Sequence, residues 1–180
     1  MKIEIKRLKV NHRLSEETLN FSADIYVDGR KVGWAGNHGT GGETDIGGMS
    51  KDIMERLTAY AEANYTEAMG AVRWSSGPNV GKLVDGLSQY IDHLVHEEDK
   101  RATDAKEAKR TAKIDAEEKA KNAARGMATI RWTQKTDRQT TTRWCGVPPG
   151  KTPADAAAYM TEKYGHKDKS LSPTITWEVI

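Results

Sequence analysis

The chain has a single cysteine, Cys145, one phenylalanine and five prolines in 180 residues. One thiol builds neither an intrachain disulfide framework nor a cysteine-based zinc site, which points to a reducing cytoplasm. No run approaches the roughly 18 apolar residues of a membrane-spanning helix, and the opening MKIEIKRLKV lacks the apolar core of a signal peptide. The expectation is a cytoplasmic protein with no membrane contact. An excess of one charge is missing too, since 28 Lys and Arg face 26 Asp and Glu for a net +2. Total charge therefore marks neither a nucleic-acid mimic nor a generally basic nucleic-acid binder, and any charged site must be local.

What is there is a folded part diluted by a very polar one: five Trp and six Tyr coexist with 30% charged residues and a mean hydropathy of -0.74. KIEIKRLKV, 2 to 10, alternates apolar and polar with a slip near Leu8 and reads as a strand. LNFSADIYV, 19 to 27, repeats the alternation, Asp28-Gly29 signals a two-residue hairpin turn, and RKVGWAG returns. Ser50 is placed to cap a helix running to about Tyr65. After SSGPNVG, an apolar stripe from Val80 to Val95 predicts a second helix. From Glu97 to Arg125 the stripe gives way to alternating acids and bases among alanines, with Glu97/Arg101, Asp115/Lys119 and Glu117/Lys121 at the spacing that favours helical ion pairs. Its alanine stripe fits a solvated extension or a close-packing partner helix. MATIRWTQ and TTTRWCGV predict a hairpin turning through KTDR, ADAAAYMTEKYG a short helix entered at Pro153 and closed by Gly165, and TITWEVI a last strand. The expected class is α+β: an antiparallel sheet, made of an N-terminal three-stranded meander and C-terminal strands, covered by helices and carrying a long charged helical extension. The regions are 1 to 96, 97 to 126 and 127 to 180, with the last joining the first in one domain.

The densest signal is GNHGTGGETDIGG, 36 to 48. Between a strand and a helix, glycines free the backbone to curl, and exposed N–H groups with a helix N-terminus make an anion site. The candidate ligand-binding residues are His38, Gly39, Thr40, Gly41, Gly42, Thr44 and Ser50. GTGGETD matches neither GxxxxGK[ST] nor GxGxxG, and Glu43 and Asp45 place negative charge where a phosphate would lie. A mobile connection is the alternative, and a cation held by Glu43, Asp45 and His38 a third. His93, His96 and Glu97 share a helix face without forming HExxH, which fits ordinary boundary histidines better than a metal site. Arg-Trp occurs at Arg73-Trp74, Arg131-Trp132 and Arg143-Trp144. In the two strand copies alternation sends Trp132 and Trp144 inward and leaves Arg131 and Arg143, with Lys135, Arg138 and Thr141 nearby, on an outer face able to hold phosphate. Solvated arginines over buried tryptophans are the bland version. Cys145 has no neighbouring His or Asp in sequence and is assigned no chemistry. No catalytic residue, metal ligand or cofactor is assigned, since hydrolase and kinase patterns are absent.

SEET at 15 to 18, YVDGRKVG at 26 to 33 and GTGGETD at 39 to 45 carry a resemblance. Over the first quarter of the chain the sequence resembles a group of small uncharacterised proteins of phages, prophages and mobile elements. That resemblance implies a host-cell cytoplasmic protein acting by binding, in accessory or anti-defence roles. With the loop it favours a non-enzymatic protein that captures a phosphate-bearing nucleotide signal, with Arg131 and Arg143 contributing charge and an oligomer completing the pocket. The rivals are a protein-interaction module acting on a host or phage protein through the charged helix, nucleic-acid binding, and a metal-dependent enzyme.

Overall fold

In the computed structural model, residues 1–135, 140–164 and 174–180 are described. The expected turn through Asp137 and Arg138 and the helix-closing Gly165 lie outside them. Alternation in Ile3–Val10 (β1) sends Ile3 and Ile5 into a core, and the slip near Leu8 is a bulge: the pairing with Phe21–Val27 (β2) shifts between Lys6 and Lys9, with Arg7 at φ +52. Asp28 and Gly29 both take positive φ, as a two-residue hairpin turn requires, and the chain returns as Arg30–Asn37 (β3). A short strand not expected from the sequence, Asp45–Gly47 (β4), lies inside the glycine-rich segment and pairs with β3, giving the order β1-β2-β3-β4, antiparallel at each step.

Lys51–Asn64 (α1) begins where the Ser50 hydroxyl accepts the Ile53 N–H, and buries Leu57 and Ala61. The next helix starts at Leu87 rather than Val80. Gly81 and Gly86 adopt positive φ, and residues 72 to 84 instead fold back on themselves, with Trp74 N–H on the Lys82 carbonyl and Val84 N–H on the Val72 carbonyl. From Leu87 the helix runs without interruption to Ala123 (α2), so the apolar stripe and the charged extension are one 37-residue element. Its first turns bury Leu87, Ile91 and Val95 against the inner faces of β1 to β3 and α1. Every residue from Lys100 to Arg110 is exposed.

The chain divides into two compact units, Met1–Asp104 and Ala105–Ile180, with the boundary inside α2. The strands accordingly make two sheets. In the second unit Ala128–Lys135 (β5) lies between Thr140–Val147 (β6) and Thr174–Val179 (β7), both antiparallel to it. Pro153–Tyr164 (α3) packs Ala156, Ala157 and Met160 inward; its start is a capping box in which Asp155 accepts the Thr152 N–H at 2.9 Å and donates its own N–H to the Thr152 hydroxyl at 3.2 Å. Among the described residues no helix is long and apolar enough to cross a membrane.

Candidate functional site

The glycine-rich segment is bolted down from two sides. On the strand side, the Asn37 amide oxygen accepts the Gly39 N–H at 2.8 Å while its Nδ2 donates to the Gly42 carbonyl at 3.2 Å and the Thr44 hydroxyl at 3.3 Å. The Gly41 N–H goes to the Thr18 hydroxyl, and the Gly39 carbonyl accepts from the N–H groups of Glu16 and Glu17 at 2.8 and 3.1 Å. On the helix side, the Ser88 hydroxyl meets Glu43 Oε1 at 2.9 Å, and the buried Thr44 hydroxyl donates to Asp92 Oδ1 at 2.5 Å. Gly39 shows how tight the fit is. Its φ is +86, and a Cβ there would sit 2.2 Å from the Leu14 carbonyl oxygen. The N–H groups of Gly39 and Gly41 point into the protein, not toward a ligand. Burial pushes the Asp92 carboxyl above its ordinary range, partly offset by the Thr44 hydrogen bond.

Of the candidate residues, His38 to Thr44 stand together in this segment, with His38, Thr40 and Gly42 exposed. The Ser50 oxygen is engaged as the α1 cap. Arg131 and Arg143 belong to the second unit, and there the register corrects the expectation for them. Cross-strand partners share a face, and Arg131 pairs with Trp144 while Trp132 pairs with Arg143. The two arginines therefore lie on opposite faces, as do the two tryptophans. Arg131 is engaged by Asp115 of α2 and Glu178 of β7, and Trp144 Nε1 donates to Asp115 Oδ1 at 2.6 Å. Trp132 is fully buried under α3, with its N–H on the Thr161 hydroxyl at 3.0 Å. The helical pairs also differ from expectation: Arg101 takes Glu98 and Lys121 takes Glu118, while Asp115 is drawn to Arg131.

The third Arg-Trp is structural in its arginine. Arg73 binds the Glu62 carboxylate at 2.9 Å and the carbonyls of Gly81, Glu62 and Tyr65. His93 packs beside Tyr65 with ring centroids 5.1 Å apart, and His96 Nδ1 is 2.7 Å from the Asp92 carbonyl. Among the described residues no three His, Cys, Asp or Glu gather as a metal site. Burial raises the Cys145 thiol above its ordinary range, which keeps it protonated and poorly nucleophilic.

An accessible site exists beside the glycine loop. α1 and α2 cover one face of the first sheet. On the other face a groove of about 490 Å³ is lined by Lys9, Asn11, Asn20, Ser22, Trp34 and His38, among others. The pairing makes a row across the strands, Lys9 to Ser22 to Gly36 to Asp45, with Trp34 in the adjacent row opposite Gly47. The indole lies flat on that glycine: a Cβ at Gly47 would stand 2.6 Å from Trp34 Cζ2, and Gly48 approaches the same ring. One face of the indole is thus covered by backbone, and the side chain remains 47% exposed. Nearby Arg7 and Lys31 are both held by Asp24, whose carboxyl is kept below its ordinary range chiefly by Lys31. Among the described residues Lys9 has no such acidic partner, which makes it the available cation of the groove.

No family model, curated protein or solved structure matches this chain. Sequence reading reached His38 but missed Lys9, Asn11, Asn20, Ser22 and Trp34. Local pattern carries no signal for Trp34: a regular two-residue hairpin at Asp28-Gly29 would set it across from the buried Ala23, and it is the register shift between Ile25 and Tyr26 that brings it opposite Asp24 on the outer face.

Proposed function

We propose that this is a non-enzymatic binding protein that captures a small, nucleotide-like, phosphate-bearing molecule on the outer face of its first sheet. The observation that carries the reading is Trp34, laid on Gly47 and 47% exposed, at the edge of a groove that also holds Lys9, which has no acidic partner among the described residues. A ring braced by backbone stacks a base at little cost in side-chain ordering. The groove volume of about 490 Å³ falls in the range of small-ligand sites. Lys9 supplies the charge for a single phosphate, Asn11, Asn20 and Ser22 supply polar contacts, and His38 lies at the loop end. The glycine loop serves this site by holding His38 and β4 in place, not by cradling phosphate itself. The anti-defence role rests on the resemblance of residues 15 to 45 to phage-type proteins and on this ligand class together.

A thermal-shift screen against mono-, di- and cyclic nucleotides tests it, with wild type beside Trp34→Ala and Lys9→Ala. The expected result is a nucleotide-dependent rise in Tm that both variants lose. A rise that survives in both variants, or none with any nucleotide, refutes the reading.

The exposed segment of α2 supports a second reading. From Lys100 to Arg110 no side chain is buried, so this stretch is free on every side to meet a host or phage protein. Deleting 97 to 125 would not test it cleanly, because Asp115 and Asn122 hold the second sheet through Arg131, Trp144 and Thr129. Reversing charge at Lys106, Lys109 and Arg110 leaves those contacts intact and should abolish partner binding if the reading holds.

A further inference from the structure

The near-neutral chain hides a division of charge. Residues 105 to 180 carry 15 Lys and Arg against 9 Asp and Glu, a net +6, whereas residues 1 to 104 carry 13 against 17, a net -4. Such asymmetry is characteristic of chains in which one part meets nucleic acid. Within the basic unit the charge is not evenly available. Arg131 is consumed by Asp115 and Glu178, but on the opposite face of the same sheet the Arg143 guanidinium lies 4.3 Å from the centre of the Tyr164 ring and has no acidic partner among the described residues.

That ring and its neighbours form a strip along the β6 side of α3. Asp155, Tyr159 and Lys163 follow one another at helical spacing of four, and Lys163 Nζ lies 2.8 Å from the Tyr159 hydroxyl and 5.3 Å from the Tyr164 ring. Tyr159 and Tyr164 are 51% and 38% exposed. The strip continues into a groove of about 420 Å³ between α3 and the end of β6, lined by Cys145, Pro148, Lys151, Asp155 and Tyr159. Arg143, Lys163 and Lys151 thus alternate with two exposed phenol rings. The acid in the strip, Asp155, is turned to the helix cap, where its Oδ2 accepts the Thr152 N–H and hydroxyl. Glu162 is the next acid on the same helix and is also exposed.

We propose that this strip binds single-stranded nucleic acid, with Arg143, Lys151 and Lys163 tracking phosphates and Tyr159 and Tyr164 stacking bases. Interleaved cations and exposed rings in a groove are what a sequence-tolerant single-strand site needs: charge for the backbone and π-faces for any base. A duplex would bury the base faces that the tyrosines address.

The test is fluorescence anisotropy of the full chain with a labelled twelve-nucleotide oligo-dT, run at 50 and 200 mM salt. Three phosphate contacts on a single strand predict a log–log salt slope near -2, an affinity loss of about 20-fold across that range. Arg143→Ala with Lys163→Ala should weaken binding and flatten the slope by about 1.4, and Tyr159→Ala should weaken binding at unchanged slope. Lys106→Gln, Lys109→Gln and Arg110→Gln, on the exposed helix, should leave affinity unchanged. Circular dichroism and melting of each variant establish that the fold is kept. No binding of either oligo-dT or oligo-U, tighter binding of duplex, or loss of binding only in the helix variant would each overturn the proposal.

Discussion

The two sheets differ in how many of their faces are covered, and that difference decides what each can do. In the first unit, helices cover the inner face of β1 to β3, and the outer face keeps Lys9, Ser22 and Trp34 accessible over a groove. In the second, α3 packs on the Trp132 face, while Asp115 and Asn122 of α2 address the other, taking up Arg131, Trp144 and Thr129. A residue of the same type therefore means different things in the two places. Trp34 is an exposed ring and Trp132 is core; Arg131 is a structural ion pair, whereas Arg143, against the Tyr164 ring at the end of α3, has no acidic partner among the described residues. An open face is what allows a site, and covered faces leave one only at their margins.

The largest expected effect is at Trp132. Trp132→Ala removes a fully buried indole and its hydrogen bond to Thr161, and should cost about 3 to 5 kcal/mol in denaturant unfolding. Trp34→Ala should cost under about 1 kcal/mol, as a half-exposed side chain allows. If the two cost the same, the contrast between open and covered faces fails. Arg131→Ala strands Asp115 and Glu178 and should destabilise by about 2 kcal/mol, whereas Arg143→Ala should stay within about 0.5 kcal/mol of wild type by the same assay. Gly39→Ala must force a Cβ against the Leu14 carbonyl at positive φ, and should cost upward of about 1 kcal/mol; an unchanged melting temperature would mean the loop is not bolted down as described.

The smallest effect is in pH dependence. The Asp92 carboxyl is raised in the folded state, mainly by burial. Its contribution to stability is fully present below the unfolded-state value and is lost as pH rises through the folded-state value, so at neutral pH the ionised group is a burden. Asp92→Asn should raise Tm at pH 7, and the gain should shrink toward zero as pH falls below about 4. Asp24 and Asp155 have the opposite sign: their carboxyls are lowered, by Lys31 and by Thr152 respectively, so they stabilise at neutral pH and lose that contribution on acidification.

Much of the fold is legible in local pattern. Alternation gives β1 to β3 and even the bulge near Leu8, Asp28-Gly29 gives the turn, and Ser50 gives the α1 cap, because each depends on residues near in sequence. The α+β class follows from the same signals. What local pattern does not carry is pairing at a distance. The start of α2 at Leu87 depends on Gly81 and Gly86 turning the chain and on Glu62 accepting the Leu83 N–H. The faces of Arg131 and Arg143 depend on a register that two similar Arg-Trp strands leave open until the turn length is known. The site shows the same limit. Glycine density drew attention to 36 to 48, where the glycines serve close packing and tight turning, while Trp34 gains its platform character from Gly47, a contact made only when β4 pairs with β3.

The most direct test of the proposed binding site is an amide and indole chemical-shift map of the isotopically labelled chain during titration with a nucleotide that shifts Tm. The open-face account predicts the largest changes at the Trp34 indole N–H and at Lys9, Ser22, Gly36 and His38, with the Gly39 and Gly41 amides little moved because they are already bonded to Asn37 and Thr18. Changes centred on the Gly39 to Gly42 amides, with the Trp34 indole silent, would contradict it and return the site to the glycine loop.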